Sequence, residues 1–216
     1  MYLIFLGAPG CGKGTQAQLL KESQNIVHLS TGEMLRSEIE AKTPLGLQLE
    51  KIMASGNYVS DNIILLAVEK KLASLGQKGI LLDGFPRTLI QAQALDQLLV
   101  DQCLPGISAV IYFKINDDVL VNRIAGRFNC ADCGHVYHDV NKPTKVAGVC
   151  DVCGSHSFAR RVDDTEEKLK KRLEVYYQNT YPLISYYKEK GVLFEVDSTS
   201  SVDVIQSEIL SILSSV

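Results

Sequence analysis

The segment GAPGCGKGT, residues 7–15, stands directly behind the apolar run YLIFL of residues 2–6 and opens a helical pattern over 13–23. A strand must end there, a glycine-rich backbone must turn, and a helix must start. Glycines allow successive N–H groups to converge on one point, and the helix N-terminus adds its positive end. Lys13 then stands within reach of the outer groups of a bound phosphate chain. A turn that binds nothing is the alternative, and strand, spacing and lysine together weigh against it. Gly14 separates Lys13 from Thr15, whereas the usual pattern sets the hydroxyl residue next to the lysine. That departure narrows the class of site.

Further apolar runs bounded by turn residues occur at 26–30, 79–83, 107–113 and 192–196. Continuous apolar strands suit a parallel sheet covered on both faces. Helical patterns lie between them, at 61–75, 88–101, 117–125, 165–189 and 202–214. The alternation predicts an α/β fold, a doubly wound parallel five-stranded sheet. Asp61 and Asp117 are placed to cap their helices, and Pro182 should interrupt the long one. Two segments break the alternation. Residues 30–60 hold two short helical patterns with no strand between them, and 127–164 are rich in Cys, Gly, His and Asp with little periodicity. Both read as small subdomains inserted into the sheet scaffold.

The 216 residues carry 22 basic and 25 acidic side chains, a formal charge of -3. That balance argues against a general nucleic-acid or anionic-membrane binder, so any anion site must come from locally gathered arginines. Arg36, Arg87, Arg123, Arg127, Arg161 and Arg172 are the available set; Arg123 and Arg127 would share a helix face if that helix continued. The N-terminus has no basic leader and no stretch is long enough to span a bilayer, so a cytoplasmic location is expected.

Asp83 leaves a strand within LLDGFPR (81–87), where a carboxylate beside a phosphate loop can hold Mg²⁺, directly or through water; a strand-end or capping aspartate is the alternative. No general-base constellation is evident. A phosphate oxygen, already ionised, needs none as acceptor, so transfer between phosphates fits the inventory better than transfer to an alcohol. Cys130, Cys133, Cys150 and Cys153 form two C-x2-C pairs sixteen residues apart, with Gly134 and Gly154 behind them. The pattern suits a structural tetrahedral Zn²⁺ whose binding supplies folding energy to a segment poor in apolar residues. Disulfides, a redox pair, or His135 or His138 replacing a cysteine are the alternatives. Cys11 is either a small filler or a thiol activated by the helix N-terminus, and Cys103 reads as a buried hydrophobe.

Residues 7–16, STGEMLR (30–36), DGFPRT (83–88), RIAGR (123–127), RRVDD (160–164) and KRLEVYY (171–177) together resemble bacterial adenylate kinase in its long-lid, zinc-binding form. The resemblance implies a core of 1–29, 60–126 and 165–216, a nucleoside-monophosphate-binding subdomain of 30–59, and a lid of 127–164. It implies a monomer that transfers phosphate between ATP and AMP to give two ADP, with Mg²⁺ on ATP and no nucleic-acid or membrane partner. By the same match, Gly10, Cys11, Gly12, Lys13, Gly14 and Thr15 cradle ATP, joined by Arg123, Arg127, Val136, Tyr137 and Ser200. Thr31, Arg36, Asn57, Tyr58, Val59, Gly84, Phe85, Pro86, Arg87 and Gln91 match the AMP site, where Gln91 would read the adenine edge. Arg161 and Arg172 match arginines bridging both nucleotides; with Lys13, Arg87 and Arg123 they form the expected catalytic set. Asp163 and Asp164 match acidic lid-hinge residues. Tyr58 stands where a smaller aliphatic residue is usual, and VDSTS (196–200) lacks the glycine usual after the aspartate. Other implied possibilities are a UMP/CMP-type nucleoside monophosphate kinase and, from another class, a zinc-ribbon nucleic-acid binder.

Overall fold

The computed structural model describes residues 1–54, 59–75, 79–161 and 164–216. Five parallel strands form the main sheet: β1 (Tyr2–Gly7), β2 (Ile26–Ser30), β3 (Gly79–Asp83), β4 (Ile107–Lys114) and β8 (Leu193–Asp197), in the order β2-β3-β1-β4-β8. β1 lies at the centre, with Leu3 opposite Leu81 on one side and Ala109 on the other. The chain winds outward to β2 and β3, then crosses to β4 on the far side of β1. Such a reversal opens a crevice at the carboxyl ends of the strands, and the glycine loop following β1 lies there.

Both faces of the sheet are covered. Ile4, Leu6, Ile80, Leu82 and Val110 pack on one side with residues of α4 (Asp61–Leu75), α5 (Leu89–Asp101) and α8 (Leu183–Glu189). Leu3, Phe5, Leu81, Ala109 and Ile111 pack on the other with α1 (Lys13–Ser23), α7 (Glu166–Asn179) and α9 (Val202–Leu213). These residues are at most 2% exposed, which is why the strands read as unbroken apolar runs. The long helical pattern is interrupted as expected: α7 stops at Asn179, and Pro182 leads into α8.

The inserted segments have structure of their own. Residues 30–54 form α2 (Thr31–Glu40) and α3 (Pro44–Ala54), packed together. Ser30 caps α2 by accepting the Glu33 N–H. In the cysteine-rich segment a three-stranded antiparallel sheet, β6-β5-β7, is built from β5 (Arg127–Cys130), β6 (Val136–His138) and β7 (Phe158–Ala159). Phe128, Tyr137 and Phe158 make a small aromatic core beside the cysteines.

Several expectations are corrected. α6 (Asp117–Ala125) has the bounds read from the sequence and does not continue to Arg127, which begins β5, so the condition under which Arg123 and Arg127 would share a helix face is not met. The caps expected from Asp61 and Asp117 fall one position late. Both acids sit in the first helical turn, where the helix dipole favours them, and their carboxylates accept from neighbouring elements. Cys103 is exposed in a turn at φ 51°, outside the core, whereas Cys11 is a buried filler in it.

Candidate active site

One cleft of about 620 Å³ gathers nearly all the residues singled out from the sequence. All six arginines line it, together with Lys13, Asp83 and the glycine loop. A chain of net charge -3 thus concentrates cations in one place, the arrangement that polyphosphate demands.

At the loop, Gly12 takes φ 105° just before α1, and a Cβ there would touch nothing; conformation alone reserves the position for glycine. Lys13 folds back on its own loop. Its Nζ donates to the Gly7 and Ala8 carbonyls at 2.6 and 2.9 Å and lies 3.3 Å from Cys11 Sγ. Contact with a phosphate requires it to exchange some of these partners. Arg123 ties two walls together, donating to the Ser198 carbonyl at 2.7 Å and to the Cys11 carbonyl at 3.4 Å. Ser200, in the same loop, also lines the cleft.

The opposite end is built from β3, α2 and α5. Thr31 donates to the Gly84 carbonyl, as does Arg87 Nε, so α2 and the DGFPR turn are joined. Gln91 is buried and its amide orientation follows from its partners: Oε1 accepts the Arg87 N–H, and Nε2 donates to Asp61. That amide has a second N–H on Nε2 and a second lone pair on Oε1 beyond these two bonds. Pro86 and Val59 also line the cleft. Phe85 differs: it is 1% exposed within the core and does not line the cleft, so its side chain has no contact to offer there. Asn57, Tyr58 and Asp163 lie outside the described residues.

Asp83 closes β3 between the two ends, with Oδ2 3.3 Å from His28 Nε2. Burial alone would raise its pKa. The His28 hydrogen bond and the charges of Lys13, His28 and Arg87 outweigh burial, holding the carboxyl below its ordinary value. An anion embedded among cations is a suitable anchor for hydrated Mg²⁺.

The cysteine-bearing segment brings Val136, Tyr137, Arg127 and Arg161 to the cleft. Arg127 grips Asp164 with two nitrogens, Nε at 2.7 Å from Oδ2 and a second nitrogen on Oδ1, and Arg172 reaches the same carboxylate at 3.5 Å. Asp164 therefore joins the start of β5 to α7. The cysteine-bearing segment also adds Asn141 and Lys142, which the sequence reading missed, and His138, which it weighed only as a zinc ligand. Lys142 donates to His135 Nε2 at 2.9 Å, and burial pushes the pKa of both groups down. No motif marks these residues, because the lid fold alone carries them to the cleft wall.

The four cysteine sulfurs lie within 4.8 Å of one another. Cys130–Cys153 and Cys133–Cys150 are each 3.6 Å apart, far beyond a disulfide and near the edge of about 3.8 Å expected of a tetrahedron with Zn–S bonds of about 2.3 Å. The two pairs fold alike: Gly134 N–H returns to the Cys130 carbonyl and Gly154 N–H to that of Cys150, each glycine at φ 74°. Neither histidine substitutes, since His135 is held by Lys142, and His138 Nδ1 accepts the Val140 and Asn141 N–H groups. Burial opposes ionisation of Cys150, yet the Tyr137 hydroxyl and the Cys153 and Val152 N–H groups bring it down to about 6. Burial and the neighbouring sulfurs drive Cys133 up to about 12. So crowded a set ionises fully only around a cation, and its donors suit zinc.

The comparisons with known proteins agree with this arrangement. The family model described as adenylate kinase matches residues 5–192. Curated relatives named adenylate kinase include those of Allorhizobium ampelinum, 46% identical over 99% of both chains, and Paracoccus denitrificans, 47% identical over 98% of this chain and 96% of its own. That of Thermosipho melanesiensis is 44% identical over 99% of both. The match runs through the glycine loop, the arginine-lined cleft and the cysteine-bearing insertion alike, and by it the chain belongs to the adenylate kinase family.

Proposed function

We propose that this chain catalyses the reversible Mg²⁺-dependent transfer of the terminal phosphoryl group of ATP to AMP, giving two ADP. The observation that carries the reading is a shared cleft, with the phosphate loop at one end and the α2–DGFPR wall at the other. Two anions must meet there, and six arginines, Lys13 and Lys142 line the space where their charges would repel. Catalysis then rests on positioning and on screening that repulsion, with no proton to abstract.

In this reading the loop N–H groups of residues 10–15 hold the donor phosphates, and Lys13 swings from the Gly7 and Ala8 carbonyls onto the transferred group. Arg123 and Arg127 hold the donor, with Val136, the backbone of Tyr137 and Ser200 against its base. Thr31, Arg36, Val59, Gly84, Arg87 and Gln91 hold the acceptor, and Arg161 and Arg172 bridge the two. Asp83 would hold Mg²⁺ through water, and that ion supplies charge neutralisation between the donor phosphates. Cys130, Cys133, Cys150 and Cys153 would hold a structural zinc. The segments 30–59 and 127–164 act as flaps on the core of 1–29, 60–126 and 165–216, excluding water that would otherwise take the phosphoryl group. We take the chain to act as a cytoplasmic monomer. Among the described residues no helix is long and apolar enough to cross a membrane.

A coupled assay with AMP, CMP, UMP and GMP as acceptors tests the assignment. ADP formation from AMP in large excess over the others is expected; turnover of UMP or CMP without AMP would overturn it.

A further inference from the structure

Tyr137 occupies a place that neither the phosphate chemistry nor the cysteine pattern accounts for. It is 1% exposed, yet it sits on β6 between Val136 and His138 and borders the cleft with them. Strand alternation sends its ring to the other face, into the lid core. There the ring stacks on Phe128 at 5.5 Å and meets Phe158 edge-on at 5.8 Å. The hydroxyl stands at the tip of this stack with two polar neighbours. It accepts the Asp151 N–H at 2.7 Å and lies 3.3 Å from Cys150 Sγ.

The donor inventory then assigns the proton. A phenol has a single O–H, and the Asp151 N–H must be met by a lone pair. The O–H is therefore the group aimed at Cys150, and a metal-bound thiolate can only accept. Ligand-orienting hydrogen bonds of this kind, one step out from the metal, tune how tightly a site holds its ion.

We infer that Tyr137 is a positioning residue for the four-cysteine metal site, its hydroxyl donating to the Cys150 thiolate and so fastening the nucleotide-facing strand β6 to the metal centre. Metal retention and donor binding are thereby coupled through one side chain. The inference rests on the zinc reading of the four cysteines given above.

The test begins with the zinc content of the purified wild-type chain and its zinc affinity in competition with a chromophoric chelator. Tyr137→Phe removes the hydroxyl and keeps the ring stack; Phe128→Leu thins the stack and keeps the hydroxyl. Tyr137→Phe is expected to weaken zinc retention about 10- to 100-fold. It should also move the thiolate-to-metal absorption of the Co²⁺-loaded chain and raise KM for ATP several-fold, with KM for AMP unchanged. Excess zinc should restore the ATP value. Phe128→Leu should lower lid stability while leaving the cobalt spectrum in place. Tyr137→Phe with wild-type zinc affinity and cobalt spectrum, in a wild-type chain that does bind zinc, overturns the role of Tyr137 alone. A wild-type chain that takes up neither zinc nor cobalt overturns the four-cysteine reading and this inference together.

Discussion

Gly12 and Gly14 flank Lys13, and at neither would an added Cβ meet another atom. Their needs nonetheless differ. Gly12 has φ 105°, a conformation that costs an L-residue about 1–2 kcal/mol, whereas Gly14 lies within α1 without positive φ. Gly12→Ala should therefore destabilise the nucleotide-free chain by about that amount. Gly14→Ala should leave it unchanged or stabilise it by up to about 1 kcal/mol, while raising KM for ATP because its methyl enters the cleft. Urea midpoints and KM for both nucleotides separate the outcomes; equal loss of stability in both variants would refute the distinction. Asp83 makes a second case. Its folded-state pKa lies below the ordinary carboxylate value, so the unfolded chain binds its proton first as pH falls. The stability it contributes is complete above about pH 4 and drains away as pH drops through the lowered native value. Asp83→Asn should flatten that acid limb of a urea-midpoint profile, and an unchanged limb would assign it to other carboxylates.

Among the elements, legibility followed burial. β1, β3 and β4 are enclosed on both faces, so their apolar runs declared themselves, and Pro182 marked the break between α7 and α8. The lid strands left no such trace. They are four, three and two residues long, and they owe their register to the cysteine turns and an aromatic trio rather than to periodicity. The end of α6 at Ala125 was legible in the sequence; that Arg127 opens a strand was not. The cysteine spacing itself was fully legible, since metal geometry is written into local sequence. If the four cysteines hold zinc as proposed, elements this short depend on it. Removing it with a chelator should expose the amides of 127–161 to hydrogen exchange while β1 and β4 keep their protection, and transfer activity should fall in step with lid order. A lid that stays protected while transfer is abolished would instead make the metal catalytic.

Across the whole molecule, the cleft is a cationic space that must hold together before any nucleotide arrives. Its six arginines were visible in the sequence as a scattered set; what was not visible is which anions hold them apart beforehand. Asp164 answers for two. Its side chain is 3% exposed, and its carboxylate takes Arg127 from β5 and Arg172 from α7, so one anion spans the seam between these elements. Breaking a fully buried pair by removing one partner costs roughly 3–5 kcal/mol, and less is expected here because the arginines are 15% and 20% exposed. Asp164→Asn should thus lower the melting temperature of the nucleotide-free chain by more than about 5 °C. The same argument predicts its remedy. Polyphosphate entering the cleft supplies the missing anion to both guanidinium groups, so saturating ATP and AMP should stabilise the variant more than the wild type. Melting curves with and without nucleotide decide it. A variant that melts with the wild type in the absence of nucleotide, or that gains no more than the wild type from nucleotide, would remove Asp164 from the seam.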